Sequence, residues 1–391
     1  MMKRVVLVML LAIAALLSSN VCAAEESVEE ELTQNVEETL GDLDLSELER
    51  WFDSLDEDAR AALGGDLMSA VETLLDGSYD GGADKLLGLA ADCALGSVTD
   101  MLAVCVTVFA IALLYSVLAG MSSSFLKKQT CDLIAFVCFA AAATVVLVRV
   151  GAVAKRAFDC ANTLNALMQG AFPIVLTLLT ATGGTATASA MAPLMSLLSG
   201  AVSSAVTAIV LPLFVAATAI GVVGNISPSV KLDKFRSFLS SAAKTVLAAA
   251  FGLFVTLMTV GGISGSIADS VSIKAAKFAV QSYLPLLGGY LSDGFDLVLA
   301  SVVLVKNSLG AVVALSAIAA IAVPVVELAV TSLGLKLVAG LVEPFSGGRF
   351  SSMLSATAKN ISIAAESVIA LGVAFVIAMM CAVASCNAGV I

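Results

Sequence analysis

Hydrophobic and polar positions follow three successive patterns along the chain. Val5 to Leu17 is apolar behind Lys3 and Arg4, and small residues at Cys22 and Ala24 precede an acidic run, the layout of a secretory signal peptide over residues 1–24. An uncleaved first anchor is the other reading, and either one delivers the following segment across a membrane. Residues 25–92 are amphipathic: Leu40, Leu43, Leu45, Leu48, Trp51, Phe52 and Leu55, then Leu63, Leu67, Val71, Leu74 and Leu75, recur two to four apart among acids, which predicts short helices. Asp44-Leu45-Ser46-Glu47 reads as a capped helix start, and Gly77, Gly81 and Gly82 as a stop. So few short helices make only a small core, so the segment either folds against a partner or the protein's own outer face, or stays a solvated arm.

From Met101 onward the third pattern takes over, with apolar windows of about 20 residues, the length that crosses a bilayer as helix. Strands of a membrane barrel would show short alternating segments instead, and none appear. The expected fold is therefore an all-α, polytopic membrane protein. Residues 93–155 hold the first two spans, Val98 to Gly120 and Cys131 to Val150.

The remainder reads as an internal duplication, with residues 156–265 as the first unit and 266–391 as the second. A shift of 112 residues sets Pro173 on Pro285, Pro212 on Pro324 and Gln169 on Gln281; shifts of 115 and 116 set Lys244 on Lys359, Gly224 on Gly340 and Pro228 on Pro344. Each unit opens on an interrupted apolar segment. Leu167 to Ala190 contains Pro173, Gly183 and Gly184; Tyr283 to Val305 contains Pro285, Gly288, Gly289, Asp293 and Asp296. Broken backbone at membrane depth is tolerated only where protein or water satisfies it.

Lysine and arginine counts weigh whether these segments cross. If both re-enter, the inner loops carry nine cations and the outer loops six, Arg149, Lys155, Arg156, Lys274, Lys277 and Lys306; if both cross, the inner count falls to seven against eight. The first arrangement obeys the positive-inside tendency better. It gives six spans, the last four at about Leu194 to Gly224, Thr245 to Gly265, Leu309 to Leu333 and Ala364 to Cys386; eight spans is the alternative.

Composition agrees: 59% of the 391 residues are hydrophobic and 13% charged, too apolar for a water-soluble core. Of the net charge of −11, the segment from Glu25 to Asp92 supplies 21 acids against Arg50, Arg60 and Lys85, which makes nucleic acid and anionic lipid poor partners for it. There are eight cysteines without Cys-x-x-Cys spacing and no histidine, so neither a metal nor another cofactor is expected.

Gly262-Ile263-Ser264-Gly265 resembles the serine motif of rhomboid proteases, but the chain lacks a histidine to act as base, and close helix packing explains the tetrad better. Asp293 and Asp296 sit in turn-like composition and read as a polar break or rim. Glu327, three residues after Pro324, is the most informative residue, because a buried acid at that depth needs a polar interior or a cation. It reads either as a lining or coupling residue of a conduit, or as half of an interhelical pair with Lys306 or Lys336. The candidate conduit residues are thus Glu327, Lys306, Asp293, Asp296, Gly183, Gly184, Gly288 and Gly289. Small residues crowding the spans, such as Gly200, Ser203, Ser204 and Gly310, argue for tight packing or for homo- or hetero-oligomers.

Asn165-Ala166-Leu167, Thr180-Ala181-Thr182-Gly183-Gly184, Ser272 to Val280, Pro285 to Asp293 and Lys306 to Gly310 together resemble the stage III sporulation protein AE family of endospore-forming bacteria. The resemblance implies a multi-pass protein of the mother-cell membrane around the engulfed forespore, its N-terminal segment extracytoplasmic. It also implies a component of a secretion-like channel, with other membrane subunits, ring-forming proteins, a forespore-membrane partner and a secretion-type ATPase as companions. No catalytic residues come with the family. A secondary transporter, with a pathway at the repeat interface, is the alternative function suggested by the repeat and Glu327.

Overall fold

The computed structural model describes residues 35–385 except 37, 42, 54, 56, 76–81, 126–127, 227–231, 284–287 and 347. The expected signal peptide, and the side chains of residues 261–296, lie outside the described residues. Nearly everything described is helix, and no strand occurs among the described residues. Three short helices, α1 (Ser46–Asp53), α2 (Glu57–Leu63) and α3 (Leu67–Leu75), precede two very long ones, α4 (Gly82–Phe125) and α5 (Lys128–Ala181). Then come α6 (Thr185–Leu197), two π-helical stretches (Leu198–Val202 and Ala205–Val210), α7 (Leu211–Ile226), α8 (Asp233–Tyr283), α9 (Gly288–Ser346) and α10 (Arg349–Ala384). Among the described residues six helical stretches are long and apolar enough to cross a membrane, so this is a helical, multi-pass membrane protein.

The long helices pass straight through several expected boundaries. Residues 92/93 lie inside α4, 155/156 inside α5 and 265/266 inside α8. The Ser292–Asp296 stretch, expected as a turn, has helical backbone at the start of α9. The paired prolines differ locally. Pro212 follows a π-helical stretch, which absorbs the missing backbone donor by widening the turn. Pro324 stands inside unbroken α-helix, and the thiol of Cys160 points to the carbonyl of Ala320 that the proline leaves without its usual donor, at 3.7 Å.

Side-chain contacts fix how the helices slide against one another. Cys93 lies beside Val323, Cys105 beside Gly334, and the rings of Tyr115 and Phe350 are 5.5 Å apart, so α4 and α9 run parallel and the α9–α10 turn is level with Tyr115. Helix α10 returns antiparallel along α9: Ser332 meets Ala358, Ile321 packs on Gly372, and Val383 packs on Gly310. At 59 residues, α9 is about 88 Å long, and α10 at 36 residues is about 54 Å, against a hydrocarbon layer of about 30 Å.

The fifth and sixth spans, expected at Leu309–Leu333 and Ala364–Cys386, are therefore not level with the first. Phe109, at the centre of the first span, lies 6.0 Å from Phe345 at the end of α9. The cause is that an apolar helix buried in protein reads like one bathed in lipid. The apolar windows of α9 and α10 are 61% and 67% buried inside the molecule, against 22% for α4.

The acidic segment folds onto its own bundle, which decides between the two expectations for it. Leu48, Trp51 and Phe52 of α1, Leu63 of α2, and Leu67 and Val71 of α3 are buried against α5 and α9. The Trp51 indole Nε1 donates to the carbonyl of Thr163 at 2.9 Å, and Glu47 packs over Gly170. Glu47, Glu49, Asp53, Glu57, Asp66 and Glu72 remain on the outside. Asp44 accepts from the backbone N–H and hydroxyl of Ser46, and Asp66 from the N–H of Ser69, so both acids cap helix starts.

Candidate functional site

Glu327 is 6% exposed, and a carboxylate that deep must be paired to stay charged. Its partners come from α5. Arg149 Nη2 is 3.3 Å from one carboxylate oxygen and Arg156 Nε is 2.8 Å from the other. Arg149 also reaches Asp100 on α4 at 3.7 Å and donates to the hydroxyl of Thr331 on α9 at 3.4 Å. Three long helices are thus joined at one level by two arginines and two acids. Positions 149 and 156 are seven apart, two helical turns, so both guanidinium groups lie on the face of α5 that meets α9.

Glu327 is paired across helices with Arg149 and Arg156, and neither expected lysine is its partner. Lys306 and Glu327 stand on one helix, 21 residues and about 31 Å apart, so they cannot meet. Lys336 is an exposed residue two turns and more below Glu327 on the same helix. The spacing of Arg149 and Arg156 was the available signal for the true partners; it was hidden because both were assigned to an outer loop by charge counting.

Lys306, also placed in an outer loop by sequence, is fully buried. Its ammonium donates to the carbonyl of Ser385, the residue that ends α10. A cation at a helix C-terminus meets the negative end of the helix dipole and one of the last carbonyls without an intrahelical donor. Lys306 is therefore a cap that ties α9 to the end of α10, well removed from Glu327.

Gly183 and Gly184 make the sharp break between α5 and α6. Gly183 has φ +82, the left-handed conformation that glycine adopts without penalty. Its N–H bonds to the carbonyl of Thr180 and that of Gly184 to Leu179, which together form a Schellman termination of α5. Thr182, fully buried, folds its hydroxyl back to Leu179. These glycines build a corner. Gly288, Gly289, Asp293 and Asp296 are helical in backbone, and their side-chain surroundings lie outside the described residues.

A cavity of about 280 Å³ sits just above the Glu327 cluster, between the acidic helices and the bundle. Leu55, Ala59, Arg156, Cys160, Val323 and Pro324 line it. No group of three or more metal-ligating side chains occurs among the described residues. The arrangement as a whole is a structural clamp beneath a docked acidic cap.

The family described as stage III sporulation protein AE matches residues 66–386 of the chain. Among curated proteins the chain is similar to the stage III sporulation protein AE of Bacillus subtilis (strain 168), with 24% identity over 205 residues. That alignment covers 52% of the chain, and the chain spans about half the length (51%) of this relative. No solved structure matches.

Proposed function

The chain belongs to the stage III sporulation protein AE family and so has a role in sporulation; we propose that it is a non-enzymatic membrane component, conduit or platform, of a secretion-like channel between mother cell and forespore. The family match over most of the chain carries this reading, and six membrane-crossing helices are the architecture it requires. In this reading the protein lies in the mother-cell membrane with its acidic helices on the intermembrane side. Its partners there are other membrane subunits, ring-forming proteins, a forespore-membrane protein and a secretion-type ATPase.

The transporter alternative draws least from the geometry. Glu327, which motivated it, is occupied by Arg149 and Arg156 rather than turned toward a pathway. The test is deletion of the gene in its own spore-forming host, with complementation. Loss of heat-resistant spores, together with co-purification of ring-forming partners with the intact chain, is expected. Normal spore formation in the deletion strain would remove the proposal.

A further inference from the structure

The position of the hydrocarbon layer can be bracketed from the surface of the molecule. Its outer edge is marked by the Asp100–Arg149–Glu327–Arg156 cluster and, above it, by the water-facing acidic helices docked on Thr163 and Gly170. Its inner edge is marked by the α9–α10 turn, level with Tyr115. Between these marks, Leu102, Val106 and Leu114 of α4, Leu147 and Val148 of α5, and Leu333, Leu337 and Leu341 of α9 are exposed apolar side chains. Thr331 to Ser346 of α9 is 16 residues, about 24 Å, close to the thickness of the layer.

Within the same bracket one face is polar. Helix α10 is largely buried there, except for a row at spacings of three, four, three and four: Ser352, Ser355 and Lys359 exposed, Ser362 and Glu366 half-buried. Alternate steps of three and four keep a row on one side of a helix. Two hydrogen bonds set α8 and α9 on either side of it. Ser240 of α8 donates to Asn360 Oδ1 at 2.9 Å, and the hydroxyls of Ser332 and Ser362 are 3.1 Å apart. The bordering rows are Ser237, Ser241 and Lys244 on α8, and Lys336, Gly340 and Glu343 on α9, all exposed. On α9 the apolar edge Leu333, Leu337 and Leu341 lies one residue further round, so a boundary between lipid and polar surface runs along this helix.

Three exposed ammonium groups and a line of hydroxyls facing acyl chains would be costly, and such residues lie instead against water or protein. We propose that the α8–α10–α9 face is the wall of a water-filled passage through the membrane, closed by further copies of this chain. The apolar edges that flank it, Phe235 and Phe238 on α8 and Leu333, Leu337 and Leu341 on α9, are different surfaces on opposite sides of the polar face. An edge of one kind meeting the other kind on the next copy is a head-to-tail contact, which closes into a ring. Lys244, Lys336 and Lys359 share the wall with Glu343 and Glu366, so both signs of charge face the passage.

This inference rests on the conduit reading above and assigns its surface. The test uses the full chain, native cysteines retained, reconstituted in liposomes, with Ser355→Cys, Ser362→Cys or Leu337→Cys introduced one at a time. Labelling by a permanently charged trimethylammonium-ethyl methanethiosulfonate is read peptide by peptide by mass spectrometry, with N-ethylmaleimide as the uncharged comparison. Modification at positions 355 and 362 at least tenfold faster than at 337 is expected. Equal or slower charged labelling at 355 and 362 overturns the inference, even where the deletion strain fails to sporulate and the proposed function stands. Serine to cysteine is nearly isosteric at exposed Ser355 and half-buried Ser362, so folding is preserved.

Discussion

Replacing Glu327 by glutamine tests the central clamp. The change keeps the shape and one acceptor oxygen but removes the charge that faces Arg149 and Arg156. The Arg149 and Glu327 side chains are 12% and 8% exposed, so their pair belongs to the buried class, in which loss of one partner costs about 3–5 kcal/mol. Arg149 keeps Asp100, itself 69% exposed, and Thr331, which places the expected loss near the lower end, about 3 kcal/mol. The Arg156 side chain is 57% exposed, so Arg156→Ala removes a mostly solvent-screened pair and costs no more than about 1 kcal/mol. Replacing both members of the buried pair, Glu327→Met with Arg149→Met, leaves only the solvent-exposed Arg156 and Asp100 without these partners and returns the protein to within about 1 kcal/mol of the parent. The assay is unfolding of the purified chain in mixed micelles of increasing denaturing detergent, followed by helicity. If Arg156→Ala costs as much as Glu327→Gln, or the double methionine variant is worse than the two single changes summed, the clamp account is wrong.

Other consequences can be measured on the same preparation. Trp51 is the sole tryptophan and is held in the acidic cap against Thr163, so its emission reports docking; Gly170→Leu, which intrudes under Glu47, should red-shift it while helicity stays the same, and an unchanged spectrum would contradict the docking. Gly310→Ala drives a methyl into Val383 where α9 and α10 approach closely and should cost about 1–3 kcal/mol, whereas Gly340→Ala, with open space around it, should cost nothing measurable; equal stability of the two would refute the close approach. Hydrogen bonds from the Ser46 hydroxyl and N–H hold the Asp44 carboxyl below its usual value. Its contribution to cap stability is therefore present above the unfolded value and is lost as pH falls through the lower folded value. Acid undocking read by Trp51 should lose this component in Asp44→Asn, and an identical acid profile would exclude the role.

Much of the architecture is legible in the sequence because it depends on local pattern. The amphipathic acidic helices, the apolar helices and the glycine corner at Gly183 all follow from spacing and composition. Registration is not local in this sense. Whether Leu309–Leu333 lies in lipid or in the middle of a protein bundle depends on which helices surround it, and the hydropathy of Ala, Val and Leu is the same in both places. The assignment of Lys306, Arg149 and Arg156 to loops failed for the same reason: each was placed by its charge, and each is partnered by a residue of another helix far along the chain. Glu327 was recognisable as a buried acid, but its partners could be named only once α5 was seen to run unbroken past Arg149 and Arg156.

The length of the bundle then changes what its apolar composition means. A chain whose central helices are about two to three times as long as the hydrocarbon layer needs only part of each to face lipid. The rest can be apolar for packing, as the fully buried Lys306 cap and the close contacts at Gly310 and Gly372 indicate for the far end of α9 and α10. The acidic helices settle on this projecting part, where water can hydrate their outer carboxylates, and the polar row of α10 lies beneath it, inside the layer. Surface chemistry therefore orders the molecule along its long axis more clearly than hydropathy does. Lipid-facing leucines and valines share their height with a hydroxyl and lysine face, and that coexistence at one depth is what a wall of a passage, with lipid on one side and water on the other, requires.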